Sequence, residues 1–393
     1  MSIFNDYIIN FYFKYLKFLG GSLMKRKRLV AAIAAFSVVA TLFAGCGSDS
    51  SSDAGKKDDG KAKLKVGLVT DQGGVHDGSF NESANRGISE AVTELGIEQI
   101  PSIESKQQDA YLPNLQTMSG AADLTVGAGF MMADSMKNIA TQKADKKFLM
   151  IDAEVKVDNV LSVLFKEHEG SFLAGVLAGK LTKTNKIGFV GGVDGDVIQR
   201  FEAGFVAGVS SVNPEAGKLL MPKDDKTPGQ MVKYVASFDD AGKGYEAAKM
   251  LINEGADIVY HAAGGAGLGV FKAVKELTTA DAPKYAIGVD SDQAKTEGGK
   301  PFADVILFSM EKKVDVAVKR VVKELQDDKF TGGKTETLGL KEGAVGISPT
   351  RLAVVTDDLM KLSQNAEQQI KDGKITVPAT RAELVNYKAP EIK

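Results

Sequence analysis

From Leu64 onward the chain alternates between short apolar runs and longer segments with apolar residues three to four positions apart. Apolar runs bounded by turn residues predict buried strands, and the longer period predicts helices. Strands are predicted at Leu64–Thr70, Ala122–Gly127, Lys147–Asp152, Val160–Phe165, Lys186–Val190, Val232–Ser237, Ile258–Ala262, Tyr285–Asp290 and Val305–Met310. Helices alternate with them at Glu82–Gly96, Ala110–Ser119, Ala133–Asp145, Glu169–Leu181, Val197–Val212, Gly244–Glu254, Gly267–Thr278, Glu311–Gln326 and Asp357–Asp372. This alternation implies an α/β protein with parallel sheets covered by helices. Lys65–Phe80 and Lys186–Phe201 echo each other: each reads as a strand, a glycine turn carrying Asp, then Phe. The echo suggests two Rossmann-like lobes. In the helix Glu169–Leu181, Gly175 and Gly179 share one face, which predicts close helix packing in a folded body rather than a membrane dimer motif.

A length of 393 residues also fits two lobes better than one core. The first lobe is expected at 64–165 plus about 310–330, the second at 166–309 plus about 331–375, with 376–393 as a tail. Passages between lobes are expected near Phe165–Glu169 and Ser309–Lys312, with a third near Phe330–Leu338. Ahead of Leu64 the pattern is different. Met24–Arg28 is basic, Leu29–Ala44 is apolar, and Gly45-Cys46 follows. A basic start, a short apolar run and small residues define a secretory leader, and the run is shorter than the roughly 20 residues a membrane span needs. Ala44-Gly45-Cys46 resembles a bacterial lipobox, which makes Cys46 the expected lipidation site and places the protein on the extracytoplasmic face of the cell membrane. Phe43 departs slightly from the usual lipobox residue. Residues 1–23 precede a complete leader and are expected to be a start-site artefact. Residues 47–63 read as a flexible tether.

Charge and cysteine content narrow the chemistry. A formal net charge of −2 argues against nucleic-acid binding. Cys46 is the single cysteine, so an internal disulfide and a multi-cysteine metal site are excluded. His76, His168 and His261 lack ligand spacing. The turn Asp71–Gly78 lacks the oxygen ligands of a calcium loop and the glycine spacing of a dinucleotide fingerprint, and 261–267 lacks a phosphate-loop lysine. No cofactor, metal or catalytic residue is expected.

What remains clusters at strand carboxyl ends, where ligands bind in open α/β sheets. Asp71, Asp152 and Asp290 are acceptors there; Phe80 and Tyr260 offer aromatic faces; Gly264-Gly265 makes a backbone cradle. Asp77 and Ser79 read as helix caps, Asp134 likewise. Phe130 and Met131 stand evenly between core and site. Lys312, taken alone, reads as a solvated charge at a helix start. Aromatic plates suit a flat ring and carboxylates suit vicinal hydroxyls, so a nucleoside or sugar fits.

The segments TDQGGVHDGSFNESA, GAGFMMADS, FLMIDAE, FKEHEGSFLAGVLAG, NKIGFVGGVDGDVIQRFEAGFVAGV, ADIVYHAAGGAGLGVFKAVKE, YAIGVDSDQ and SMEKKVDVAV resemble the basic membrane protein lipoproteins across about Leu64–Lys323. The resemblance implies a type I periplasmic-binding-protein fold. It also implies a lipid-anchored receptor that delivers purine nucleosides to an ABC permease and its ATPase subunit. On the matching positions it implies that Asp71, Asp152 and Asp290 bind ligand, Asp290 through ribose hydroxyls. It casts Phe80 and Tyr260 as the pair sandwiching the base, adds Asn81, and makes Gly265 and Lys312 ribose contacts. His76 and Asn85 depart from the family's common Asp and Trp beside the aromatic plate, which leaves base preference open. Met221–Met231 reads as a surface insertion. A monomer is expected. A flavin, a sugar or an autoinducer is the alternative ligand. A nucleoside hydrolase is the rival from another class, and a transcriptional regulator would need a DNA-binding headpiece where the leader stands.

Overall fold

The computed structural model describes residues 62–392; the leader, Cys46 and the tether up to residue 61 lie outside the described residues. Among the described residues the strands in chain order are β1 (Lys65–Thr70), β2 (Glu98–Glu104), β3 (Leu124–Ala128), β4 (Lys147–Ile151) and β5 (Val160–Phe165), then β6 (Ile187–Gly191), β7 (Val232–Tyr234), β8 (Ile258–Ala262), β9 (Tyr285–Asp290), β10 (Ile306–Lys312), β11 (Lys334–Leu338) and β12 (Val345–Ile347). The helices are α1 (Phe80–Leu95), α2 (Tyr111–Ala121), α3 (Ala133–Gln142), α4 (Glu167–Leu181), α5 (Asp196–Val212), α6 (Pro214–Leu220), α7 (Ala241–Asn253), α8 (Gly267–Leu277), α9 (Val314–Gln326), α10 (Asp357–Lys371) and α11 (Arg381–Val385).

The strands form two six-stranded sheets, ordered β11-β5-β4-β3-β1-β2 and β12-β10-β9-β8-β6-β7. All pairings are parallel except β10–β12, an antiparallel edge. Each sheet carries the doubly wound order in which the strand sequence reverses beside its first strand. β1 and β6 hold the same place in the two sheets, which is the source of the sequence echo. Their central strands are mostly apolar and almost wholly buried because helices cover both faces. α9 shows why the outer layer is helical: Val314, Ala317, Val318, Val321 and Val322 are buried, a stripe at 3.6-residue spacing. α4 and α5 pack with almost no side chain between them. A Cβ on Gly175 would lie 2.2 Å from the Phe205 carbonyl oxygen, and one on Gly208 would lie 2.1 Å from that of Phe172. The close packing expected around Gly175 and Gly179 is what forms. The segment 221–231 is mostly exposed surface loop.

The chain passes between lobes after β5, after β10 and after β11. The second passage falls beyond Lys312, because β10 runs through that residue. The third falls beyond Leu338, because Lys334–Leu338 pairs with β5 and belongs to the first sheet. The earlier placement at Phe330–Leu338 therefore shifts forward. The C-terminal stretch is not a loose tail: α11 packs on α5 and buries Arg381.

Candidate functional site

The carboxyl ends of β1, β3, β4, β8, β9 and β10 converge on one cavity between the lobes. Its walls include Asp71, Asn81, Asp152, Asp290 and Lys312, with the rings of Phe80, Phe130, Phe201 and Phe238. The first lobe supplies Asp71, Phe80, Asn81, Phe130 and Asp152. The second supplies Phe201 from α5, Phe238 from the segment after β7, and Asp290 and Lys312.

Asp71 leaves β1 buried, and Asn81 Nδ2 donates to its Oδ1 at 2.8 Å. Burial raises its pKa to about 6. Its other oxygen lies 2.4 Å from where a Cβ on Gly129 would stand. Gly129 has φ +116°, a conformation other residues rarely adopt, so glycine is needed twice over there. Asp77 accepts from the backbone N–H groups of Ser79, Asn81 and Glu82, which makes it the cap of α1. Ser79 is not a cap by its side chain: its Oγ donates across the lobes to Asp290 Oδ2 at 2.5 Å. Burial raises the Asp290 carboxyl to about 7. Gln293 Nε2 adds a second cross-lobe bond, to the Gly78 carbonyl at 3.0 Å.

Lys312 is buried, not solvated. Its Nζ donates to Asp152 Oδ2 at 2.5 Å and lies 5.0 Å from the centre of the Phe80 ring. Asp152 and Asp290 both hold left-handed backbone, φ 71° and 63°, turning each strand end sharply into the cavity. Asn81 Oδ1 and Asp152 Oδ1 are buried with no hydrogen-bond partner among the described residues.

Two expected site residues are not there. Tyr260 points into the second lobe's core: it is fully buried, its ring sits 4.8 Å from that of Phe205 and 5.6 Å from that of Phe189, and its hydroxyl pairs with Ser171. Position 260 lies two residues short of the end of β8, where α5 covers its ring; the residues that reach the cavity are Ala262 and Gly264, at and past the strand end. The aromatic wall of the second lobe comes from Phe201 and Phe238 instead. Gly265 stands one residue behind the lining, which Gly264 provides, and a Cβ on Gly265 would meet Asp77 at 3.6 Å. His76 is exposed. Asn85 accepts from Gln99 and Ser102 on β2, so neither departure from the family pattern faces the cavity. Asp134 is exposed and does not cap α3. Phe201 was legible through the echo, since it matches Phe80. Phe238 and Glu167, which flanks Lys312, carried no sequence signal.

Two parallel α/β lobes that close over a buried cavity of rings and carboxylates define a solute-binding protein. A family model described as ABC transporter substrate-binding protein PnrA-like matches residues 64–381. The chain belongs to this family, Bmp, and is an ABC transporter substrate-binding protein. It is 36% identical over 368 residues to the ABC transporter nucleoside-binding protein BmpA of Lactococcus lactis subsp. cremoris, covering 90% of this chain and 99% of that protein. It is 34% identical over 333 residues to basic membrane protein A of Borreliella burgdorferi, covering 83% and 91%. An ABC transporter solute-binding protein from Aeropyrum pernix K1 superposes with a TM-score of 0.69 at 28% identity, covering 80% of this chain and 94% of that one. No helix among the described residues is long and apolar enough to cross a membrane.

Proposed function

We propose that the protein is a lipid-anchored extracytoplasmic receptor that binds a purine nucleoside between its lobes and hands it to an ABC importer, without catalysis. The observation that carries this reading is a cavity walled by four phenylalanine rings in which two buried acceptors, Asn81 Oδ1 and Asp152 Oδ1, have no hydrogen-bond partner among the described residues. A flat base stacks on such rings, and base and ribose donors satisfy such acceptors. Asp290, with Asp71 and Lys312, completes a set suited to hydroxyls and ring nitrogens. The relative named as nucleoside-binding supports the same ligand class. The lipobox at Cys46 supports anchoring.

The test is calorimetric titration of the purified protein with inosine, guanosine and adenosine, followed by chromatography for free base. At least one nucleoside binds, and no base is released. If all three fail while riboflavin or a free sugar binds, the purine reading is wrong.

A further inference from the structure

Glu167 opens α4 at the first passage between lobes, and its side chain is fully buried. Its oxygens face two cations. Oε1 lies 2.9 Å from Lys312 Nζ, an ion pair without hydrogen-bond geometry, and Oε2 accepts from Arg200 Nε at 2.6 Å. Lys312 stands at the second passage. Its ammonium lies 5.0, 5.1 and 5.7 Å from the ring centres of Phe80, Phe165 and Phe201. Asp152, Lys312, Glu167 and Arg200 thus form a buried row in which charges alternate. Asp152 is the end that opens on the cavity. Arg200, on α5, is the end that reaches solvent, its side chain 20% exposed.

Alternation matters because a buried ammonium must be matched by negative charge close by. Asp152 alone would have to spend both oxygens on Lys312. With Glu167 sharing the ammonium, Asp152 spends Oδ2 only, and Oδ1 stays free. We infer that Glu167 is a positioning residue for the bound ligand. Held by Arg200, it fixes Lys312 over the Phe80 ring and leaves Asp152 Oδ1 open to a donor of the nucleoside. This rests on the nucleoside reading.

Two measurements separate the inference from that reading. The first is inosine affinity at pH 7.5. Glu167→Gln weakens it about ten-fold or more. Arg200→Met, outside the cavity wall, weakens it in the same direction, and Arg200→Lys restores most of the loss. The second needs no ligand. Burial pushes the Lys312 ammonium down, but Asp152, Glu167 and Asp290 pull it above its ordinary value of 10.5. Its contribution to stability is therefore present below that pH and lost as pH rises through the folded value. Removing the Glu167 charge brings that loss to lower pH, and the alkaline midpoint of unfolding falls by about one unit. Lys312→Met abolishes this step. Wild-type affinity and an unchanged alkaline midpoint in Glu167→Gln would overturn the inference. A shifted midpoint in a protein whose wild type binds no inosine would uphold the charge row and sink the nucleoside reading.

Discussion

Ser79 at the start of α1 donates to Asp290 at the end of β9, so a hydroxyl of one lobe rests on a carboxylate of the other at 2.5 Å. Asp290 is held near neutrality in this contact, its pKa raised by burial from 3.8 to about 7. The folded chain keeps a proton that the unfolded chain releases near pH 4. The resulting stability is full below about pH 4 and fades as pH climbs through 7. Asp71 and Asp77, each raised by burial to about 6, fade over the lower part of the same window. The ligand-free protein should therefore lose stability between about pH 4 and 7. Asp290→Asn keeps an acceptor for Ser79 without the charge. It should flatten that slope, melt higher than wild type at pH 8, and bind nucleoside more weakly. Thermal unfolding across pH checks this; an unchanged slope would refute it.

Tyr260 and Phe80 should behave oppositely. Tyr260→Phe removes only the hydroxyl paired with Ser171, at a cost of about 1 kcal/mol in stability, and leaves nucleoside affinity as it was. Phe80→Ala and Phe238→Ala each remove a cavity ring, and each should cost about 1–3 kcal/mol in binding, the worth of stacking one base. Calorimetry on the three variants tests the reassignment. A large affinity loss in Tyr260→Phe would return Tyr260 to the site.

Gly129→Ala should damage the site directly. The added methyl meets Asp71 Oδ2 at 2.4 Å on a backbone of φ +116°, so both strain and displacement act. About 1–3 kcal/mol of stability should be lost, together with ligand affinity. Gly120→Ala is the control. It lies exposed within α2 with nothing within 4 Å, and should gain about 0.5–1 kcal/mol. Chemical denaturation of both proteins gives the comparison.

Arg381 is the buried anchor of the C-terminal stretch. Its Nε bonds Glu202 at 2.9 Å, its Nη1 bonds Asp194 at 2.9 Å, and its guanidinium lies 4.9 Å from the centre of the Tyr234 ring. Arg381→Met leaves Glu202 buried without its cation, and should destabilise by about 3–5 kcal/mol. Asp194 precedes the helix that carries Phe201, so nucleoside affinity should fall too. A melting temperature within a degree of wild type would contradict this account.

The two-lobed architecture was legible because parallel central strands are buried on both faces and print as unbroken apolar runs. Edge strands print differently. β2 reads EQIPSIE, with charged ends and a proline, and β11 reads KTETL, so neither offered a run to find. Strand-end aspartates were legible because their place follows from the strand. Tyr260 misled because an aromatic short of the strand end stays under a covering helix, and only the residues at and past the end reach the cavity. Phe238 lies in irregular backbone, where no period says which way a ring turns. Ser79 and Glu167 take their meaning from partners distant in sequence, and local spacing carries no trace of those.

The third passage, after Leu338, sets an order on folding. β11 closes the outer edge of the first sheet, and α9 covers its helix α1, yet both are made after almost the whole second sheet. Domains usually fold as units in the order in which they emerge. Here the lobe that begins first is the one that must wait. While residues 166–312 are being added, β5 presents an open strand edge with its rightful neighbour still unmade, and the second lobe can assemble its central strands ahead of it. A chain stopped short of Lys334 would thus carry an unpaired apolar edge in its older half, where a holding chaperone would find its grip.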